Sequence, residues 1–219
     1  MKWLKFLIAL PLLPICWGTG SALVRLFQAA IKADIVLVAL GAGAACWLLV
    51  YFILPRPTWL YVLGHELTHA IWTWASGGSV QKLKASSKGG SVEVSKANFL
   101  TTLAPYFFPF YSVIVVVSYA VLQCFWNLAP YNPIFHLLIG FTYAFHVTLT
   151  CDILRVRQTD ITSQGYLFSA VIIWLGNLVV LLIALPLLTG INPWWKGFAM
   201  SWNDSLAAFI WLRNLLTRG

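Results

Sequence analysis

Two histidines and a glutamate within five residues have the clearest capacity for chemistry in this sequence. His65 and His69 are four positions apart, so on a helix their imidazoles project from one face and can bind one metal ion. Glu66, in the pattern HExxH, stands where a zinc hydrolase has the general base that takes a proton from zinc-bound water. With only four histidines and two glutamates in 219 residues, a chance match is improbable. We therefore predict a zinc site with His65 and His69 as ligands and Glu66 as the catalytic base.

A third protein ligand is needed, because a catalytic zinc usually has three and leaves the fourth position to water. Glu93 lies in a polar segment, where we expect a solvated strand residue. Asp152 and Asp160 lie in the polar connection between two apolar segments. We predict Asp160 as the third ligand, with an N-cap of the following helix as its alternative role. Asp152 is the second candidate, and its alternative is an ion pair with Arg155.

The two remaining histidines lie in one apolar segment. His136 and His146 are ten residues apart, which places them on different faces of a helix, so they cannot form a metal pair alone. For His146 we favour a hydrogen bond to a neighbouring helix, and a supporting role beside the metal is the alternative.

The composition is that of a membrane protein. Hydrophobic residues make up 60% of the chain and charged residues 9%, and the mean hydropathy is +0.82, far from the values of soluble domains. The net charge of +8 comes from residues between apolar runs, so we expect contact with anionic lipid and none with nucleic acid. We predict a multi-pass protein of the cell (inner) membrane.

Apolar segments long enough to cross a bilayer as a helix, about 20 residues, recur along the chain. Five are predicted to be transmembrane helices, at residues 35–54, 58–75, 99–125, 134–151 and 166–188. Residues 1–17 contain two lysines near the start, and an apolar run follows them. We expect a retained anchor helix there, which makes about six spans, and a signal peptide removed near residues 18–22 is the alternative.

The predicted fold is thus an all-α polytopic membrane protein with three parts. Residues 1–33 form an N-terminal anchor or signal-like segment, and residues 34–189 form a membrane-embedded core. Residues 190–219 form an amphipathic C-terminal segment, in which 194–218 mix aromatic and basic residues as in an interfacial helix; a last span is the alternative.

One stretch of the core is polar. Residues 77–98 read GGSVQKLKASSKGGSVEVSKAN, with Gly89-Gly90 between two short runs that contain valine and leucine. This pattern predicts a small β-hairpin directly after the HExxH helix.

The string Gly64-His65-Glu66-Leu67-Thr68-His69-Ala70, followed by Gly77-Gly78 and the segment with Gly89-Gly90, resembles the site-2 protease family of intramembrane zinc metalloproteases. The resemblance runs over about residues 59–177. It implies that the HExxH motif lies on a membrane helix, that a later helix supplies an aspartate ligand, and that the substrate is a transmembrane protein. The chain is similar to a minimal, divergent member, since it lacks a PDZ-like insert.

One departure concerns the third ligand. The family's second motif, with Asn and Pro ahead of an Asp-Gly pair, is absent, and Gln158-Thr159-Asp160-Ile161 occupies that region. Two other functions therefore stay open: a catalytically inactive membrane scaffold or binding protein that retains the protease fold and, less favoured, a transporter. If the first segment is counted as a span, basic residues number eight on the side of the hairpin and six on the other side, which favours a cytoplasmic hairpin. The count changes if the first segment is cleaved or if the tail spans.

Overall fold

Helices and one two-stranded antiparallel sheet make up the fold. We describe a computed structural model of the chain that covers residues 2–31, 34–86 and 89–218. Residues 34–158 form one compact unit, and residues 1–33 together with 159–219 form another.

The unit of residues 34–158 contains the HExxH motif. Its elements are α2 (Asp34–Ile53), α3 (Thr58–Ala75), strands β1 (Val80–Ser86) and β2 (Gly89–Val94), α4 (Phe99–Leu103), a 3-10 turn (Ala104–Tyr106), α5 (Phe110–Gln123), a second 3-10 turn (Ala129–Tyr131) and α6 (Asn132–Leu154). The other unit contains α1 (Lys2–Ala30), α7 (Thr159–Gln164), α8 (Tyr166–Thr189) and α9 (Lys196–Arg218).

Several helices are long and apolar enough to cross a membrane. Within the described residues these are Lys2–Ala30, Ile35–Ile53, Ala129–Leu154 and Tyr166–Thr189, with a bent pair in 99–123 as a possible fifth. The mostly helical membrane fold with a hairpin is confirmed, with four or five such spans where about six were expected. Helix α3 forms as predicted but is not among the candidates, because the polar side chains of its motif lower its hydropathy.

Residues 99–125 were expected to form one uninterrupted helix, and this expectation is wrong. Helix α4 ends at Leu103, a 3-10 turn contains Pro105, and α5 begins directly after Pro109. The two helical parts meet at 85°. Proline has no N–H and its ring clashes with the preceding helical turn, so two prolines four residues apart end one helix and start another.

Helix α1 is longer than the apolar segment that predicts it. It continues beyond residue 17 to Ala30, and its small residues serve helix packing. A Cβ at Gly18 would lie 2.4 Å from the backbone nitrogen of Ser205 on α9. Beside this contact, the hydroxyls of Thr19 and Ser201 are 2.9 Å apart. The glycine therefore allows α9 to lie directly against α1.

Close packing of α2 on α6 forms the base of the unit of residues 34–158. A Cβ at Gly43 would lie 1.9 Å from the carbonyl oxygen of Leu137, and one at Gly140 would lie 2.0 Å from that of Leu40. Glycine at both positions lets the two backbones approach, as is common between membrane helices. Next to this crossing, Trp47 packs with Tyr61, Phe145 and Leu149, which joins α3 to the pair.

We predict that Gly43→Val lowers the thermal stability of the protein in detergent micelles, because its side chain would overlap the Leu137 carbonyl. Overpacking of this kind costs about 1–3 kcal/mol. Gly41→Val is the matched control, since a Cβ at Gly41 meets nothing within 4 Å. Equal midpoints of thermal unfolding for the two variants would contradict the proposed helix crossing.

Candidate metal centre

The two motif histidines lie side by side on α3. The centroids of the His65 and His69 rings are 4.9 Å apart, and both side chains are half-buried. Adjacent imidazoles one helical turn apart are the arrangement in which two nitrogens can bind the same metal ion.

A backbone carbonyl fixes the protonation of His69. The Nδ1 atom of His69 lies 2.7 Å from the carbonyl oxygen of Thr101. A carbonyl oxygen can only accept, so Nδ1 carries the proton and donates it. In the neutral imidazole this leaves the lone pair of Nε2 available to a metal, which is the orientation that metal-binding histidines commonly have. The orientation of the His69 imidazole therefore suits a zinc ligand.

Thr101 is held in place by the start of α4. The Asn98 side chain accepts a hydrogen bond from the Thr101 N–H at 2.9 Å, and Thr101 Oγ1 accepts one from the Asn98 N–H at 2.8 Å. This reciprocal capping box fixes where the helix begins, and such a cap contributes about 1 kcal/mol. The Thr101 carbonyl consequently meets His69 in one orientation.

The start of α5 packs on the other side of the motif. A Cβ at Gly64 would lie 2.8 Å from Cε2 of Tyr111, so only glycine leaves room for that ring. The Tyr111 hydroxyl donates to the Leu60 carbonyl at 2.6 Å, and Thr68 Oγ1 donates to the Gly64 carbonyl at 2.7 Å. The break at Pro105 and Pro109 is what turns α5 onto α3 in this way.

Glu66 lies beneath the hairpin. Its side chain is 6% exposed, and a Cβ at Gly90 would lie 2.5 Å from Glu66 Oε1. Strand β2 therefore passes over the carboxyl group at a distance that only glycine permits. The hairpin shields from bulk water the carboxyl group that the motif assigns to proton transfer.

The hairpin itself is confirmed, and it is antiparallel. Leu83 pairs with Val92 and Ser86 with Gly89, with an irregularity between Val80 and Lys82. Residues 87–88, between the two strands in the sequence, lie outside the described residues. Glu93 is exposed and pairs in register with Lys82, as expected of a solvated strand residue.

His146 on α6 lies much closer to the motif than its position in the sequence indicates. It is 7% exposed and lines the same small cavity as His65, between α3, α6 and the start of α5. Its Nε2 atom has no hydrogen-bond partner within the described part of the chain. From the sequence we favoured a hydrogen bond from His146 to a neighbouring helix, and within the described residues Nε2 does not form one. The spacing of histidines along α6 gives no signal for this placement, which depends on how α6 crosses α3.

Asp152 is surrounded by positive groups and a hydroxyl. Its carboxylate accepts a hydrogen bond from the Tyr51 hydroxyl at 2.9 Å and pairs with Arg56 at 3.1 Å and Arg155 at 3.3 Å. The predicted alternative for this residue, an ion pair with Arg155, is therefore present.

Asp160 is half-buried in the first turn of the short helix α7, in the unit that contains residues 159–219. It was expected near the start of the last span, with an N-cap as its alternative role. Helix α8 starts later, at Tyr166, and its N-cap is Gly165, so the capping alternative is wrong for that helix. The role of Asp160 as third metal ligand stays a prediction.

Several helices of this protein are apolar enough to cross a membrane, and one helix carries a shielded HExxH motif. These features assign it to the class of membrane proteins with a metallopeptidase motif. Within this class, residues 36–124 match the family model described as Peptidase M50B-like. This match supports membership of the site-2 protease family and so confirms the resemblance found in the sequence. The matched residues include His65, Glu66, His69 and the hairpin, and they end before Asp152 and Asp160. Neither a curated protein nor a solved structure matches the chain.

We predict that Gly90→Val detaches β2 from α3, because the added side chain would overlap the Glu66 carboxyl group. Amide hydrogen exchange in residues 80–94, measured by mass spectrometry, should become at least about tenfold faster. Ser91→Val is the control, since neighbouring strand side chains point to opposite faces and Ser91 is exposed. If both variants exchange at the wild-type rate, the hairpin does not rest on Glu66.

Proposed function

We propose that the protein is an intramembrane zinc metalloprotease that cleaves peptide bonds of membrane-protein substrates. In this proposal His65, His69 and Asp160 hold the zinc ion, and Glu66 is the catalytic base. The observation that carries the proposal is the 2.7 Å contact between His69 Nδ1 and the Thr101 carbonyl. It directs the lone pair of a motif imidazole toward a metal, as in established zinc sites.

Bound zinc would supply a Lewis acid that lowers the pKa of water and polarises the scissile carbonyl. Glu66 would accept a proton from the attacking water and later deliver it to the leaving amine. Its burial beneath β2 supports this role, because a carboxylate away from bulk water exchanges protons with the substrate rather than with solvent. His69, fixed by the Thr101 carbonyl, keeps its Nδ1 proton throughout.

The substrate in this proposal is a transmembrane helix that unwinds near Glu66. A two-stranded hairpin leaves strand edges on which an extended peptide can pair through its backbone. Since β2 passes over Glu66, a peptide paired with the hairpin would lie beside the catalytic carboxyl group. The proposed location is the cell (inner) membrane, with lipid around the apolar helices.

The test is a comparison of membrane-protein fragments in cells that produce the wild type or Glu66→Gln. N-terminal peptide profiling of membranes should find new chain ends within or beside apolar segments only with the wild type, because loss of a general base slows cleavage by about 10²–10⁴-fold. Glu93→Gln is the matched control, since it changes the other glutamate, which is exposed on β2. It should behave as the wild type.

Identical sets of chain ends for the wild type and Glu66→Gln would contradict the protease function. If purified protein then still bound one zinc, the alternative of a catalytically inactive scaffold would be favoured, because a non-catalytic relative retains the metal and the helix packing without cleavage.

A further inference from the structure

His146 combines burial with an unused hydrogen-bonding atom. Its side chain is 7% exposed, and Nε2 has no partner within the described residues. A buried polar atom without a partner destabilises the folded state, so native proteins rarely keep one without a reason. On an apolar helix, where no lipid group can bond to it, the cost favours a partner that binds from outside the chain.

The cavity beside His146 leaves few other side chains for such a ligand. The Tyr61 hydroxyl is 3.0 Å from Thr150 Oγ1, and Thr68 Oγ1 donates to the Gly64 carbonyl at 2.7 Å. The Tyr111 hydroxyl, at the same cavity, donates to the backbone of α3. These three hydroxyls already have protein partners, so the imidazole of His146 is the polar group best placed to meet a ligand next to His65.

We propose that His146 contacts the substrate and that its Nε2–H donates a hydrogen bond to the carbonyl oxygen of the scissile peptide. This inference rests on the proposed protease function and adds a catalytic residue to it. Both His146 and His65 line the cavity, so a carbonyl oxygen that approaches the imidazole of His65 through this cavity would meet the imidazole of His146. A neutral imidazole with its proton on Nε2 is a donor suited to that oxygen.

The donor acts as charge develops on the oxygen. When the water oxygen bonds to the carbonyl carbon, its proton passes to Glu66, and the carbonyl π pair moves onto the carbonyl oxygen. The Nε2–H bond to that oxygen then strengthens. When the pair returns to form the carbonyl again, the C–N bond breaks, and its electrons go to the nitrogen, which takes the proton from Glu66. His146 keeps its own proton in both steps.

The test uses the full-length protein with cobalt in place of zinc and acetohydroxamate as the probe, because this small ligand presents a carbonyl oxygen to a metal. Its dissociation constant is read from the cobalt absorption spectrum of the wild type, His146→Leu and His146→Gln. We expect His146→Leu to weaken binding by about tenfold, the loss typical of one hydrogen bond. His146→Gln, whose amide can place a donor near the former Nε2, should recover most of this loss.

His136→Leu is the matched control, since it removes the other histidine of α6, which does not line the cavity. It should leave the dissociation constant unchanged. Metal content and thermal unfolding of all variants are measured in parallel. A substrate found by N-terminal profiling adds a kinetic readout, for which His146→Leu should lower kcat by about 10²–10³-fold with little change in KM.

Four outcomes would overturn the inference. The first is that the wild type and His146→Leu bind the hydroxamate with equal affinity, and the second is that the Leu and Gln variants weaken binding equally with a matching loss of thermal stability. The third is that His146→Leu loses the metal. The fourth is that the metal-loaded wild type does not bind the probe. The proposed protease function fails separately, if cleavage does not depend on Glu66.

Discussion

The orientation of the HExxH helix toward a metal depends on one hydrogen bond, from His69 Nδ1 to the Thr101 carbonyl. An imidazole can turn either nitrogen outward, and in water both orientations are populated. A buried carbonyl, which only accepts, removes that choice by holding the proton on Nδ1. The lone pair of Nε2 is then fixed in direction, so a metal ion would meet a preorganised ligand.

Much of the unit of residues 34–158 serves to keep that carbonyl in place. Asn98 caps α4, and the prolines at 105 and 109 end α4 and turn α5 back over the motif. Gly64 gives the Tyr111 ring its space on α3. On the opposite side β2 closes over Glu66 at Gly90. The motif is thus enclosed by short, polar or broken elements, while the long apolar helices α2 and α6 provide the support.

Local patterns predicted the parts of the fold that depend on neighbouring residues. The histidine spacing predicted the helix of the motif, and the paired glycines predicted the hairpin. Hydropathy predicted most of the long helices. The break at residues 103–110 was missed, although Pro105 and Pro109 were visible, because an apolar run of that length outweighed them. The length of α1 was also missed, because the apolar run that predicts it ends at residue 17, whereas Gly18 beyond it is part of the helix and contacts α9.

Features set by tertiary contacts had no signal in the sequence. The position of His146 next to His65 depends on the crossing of α3 and α6, and the closeness of Gly90 to Glu66 depends on how the hairpin folds back. The ion pairs of Asp152 were only partly predicted, because Arg56 lies 96 positions away in the chain. The prediction that Asp160 is a metal ligand depends on its position in the sequence and on the family resemblance, so its role has to be tested by experiment.

X-ray absorption at the zinc edge of the purified, zinc-loaded protein tests the central claim most directly. We expect one zinc per chain, with two imidazole nitrogens at about 2.0–2.1 Å and oxygen ligands at about 2.0–2.2 Å. The zinc should be lost in His65→Ala and His69→Ala, held more weakly in Asp160→Asn, and retained in Asp152→Asn. Zinc that stays bound at full stoichiometry without His65 and His69, or a spectrum without imidazole nitrogens, would contradict the account.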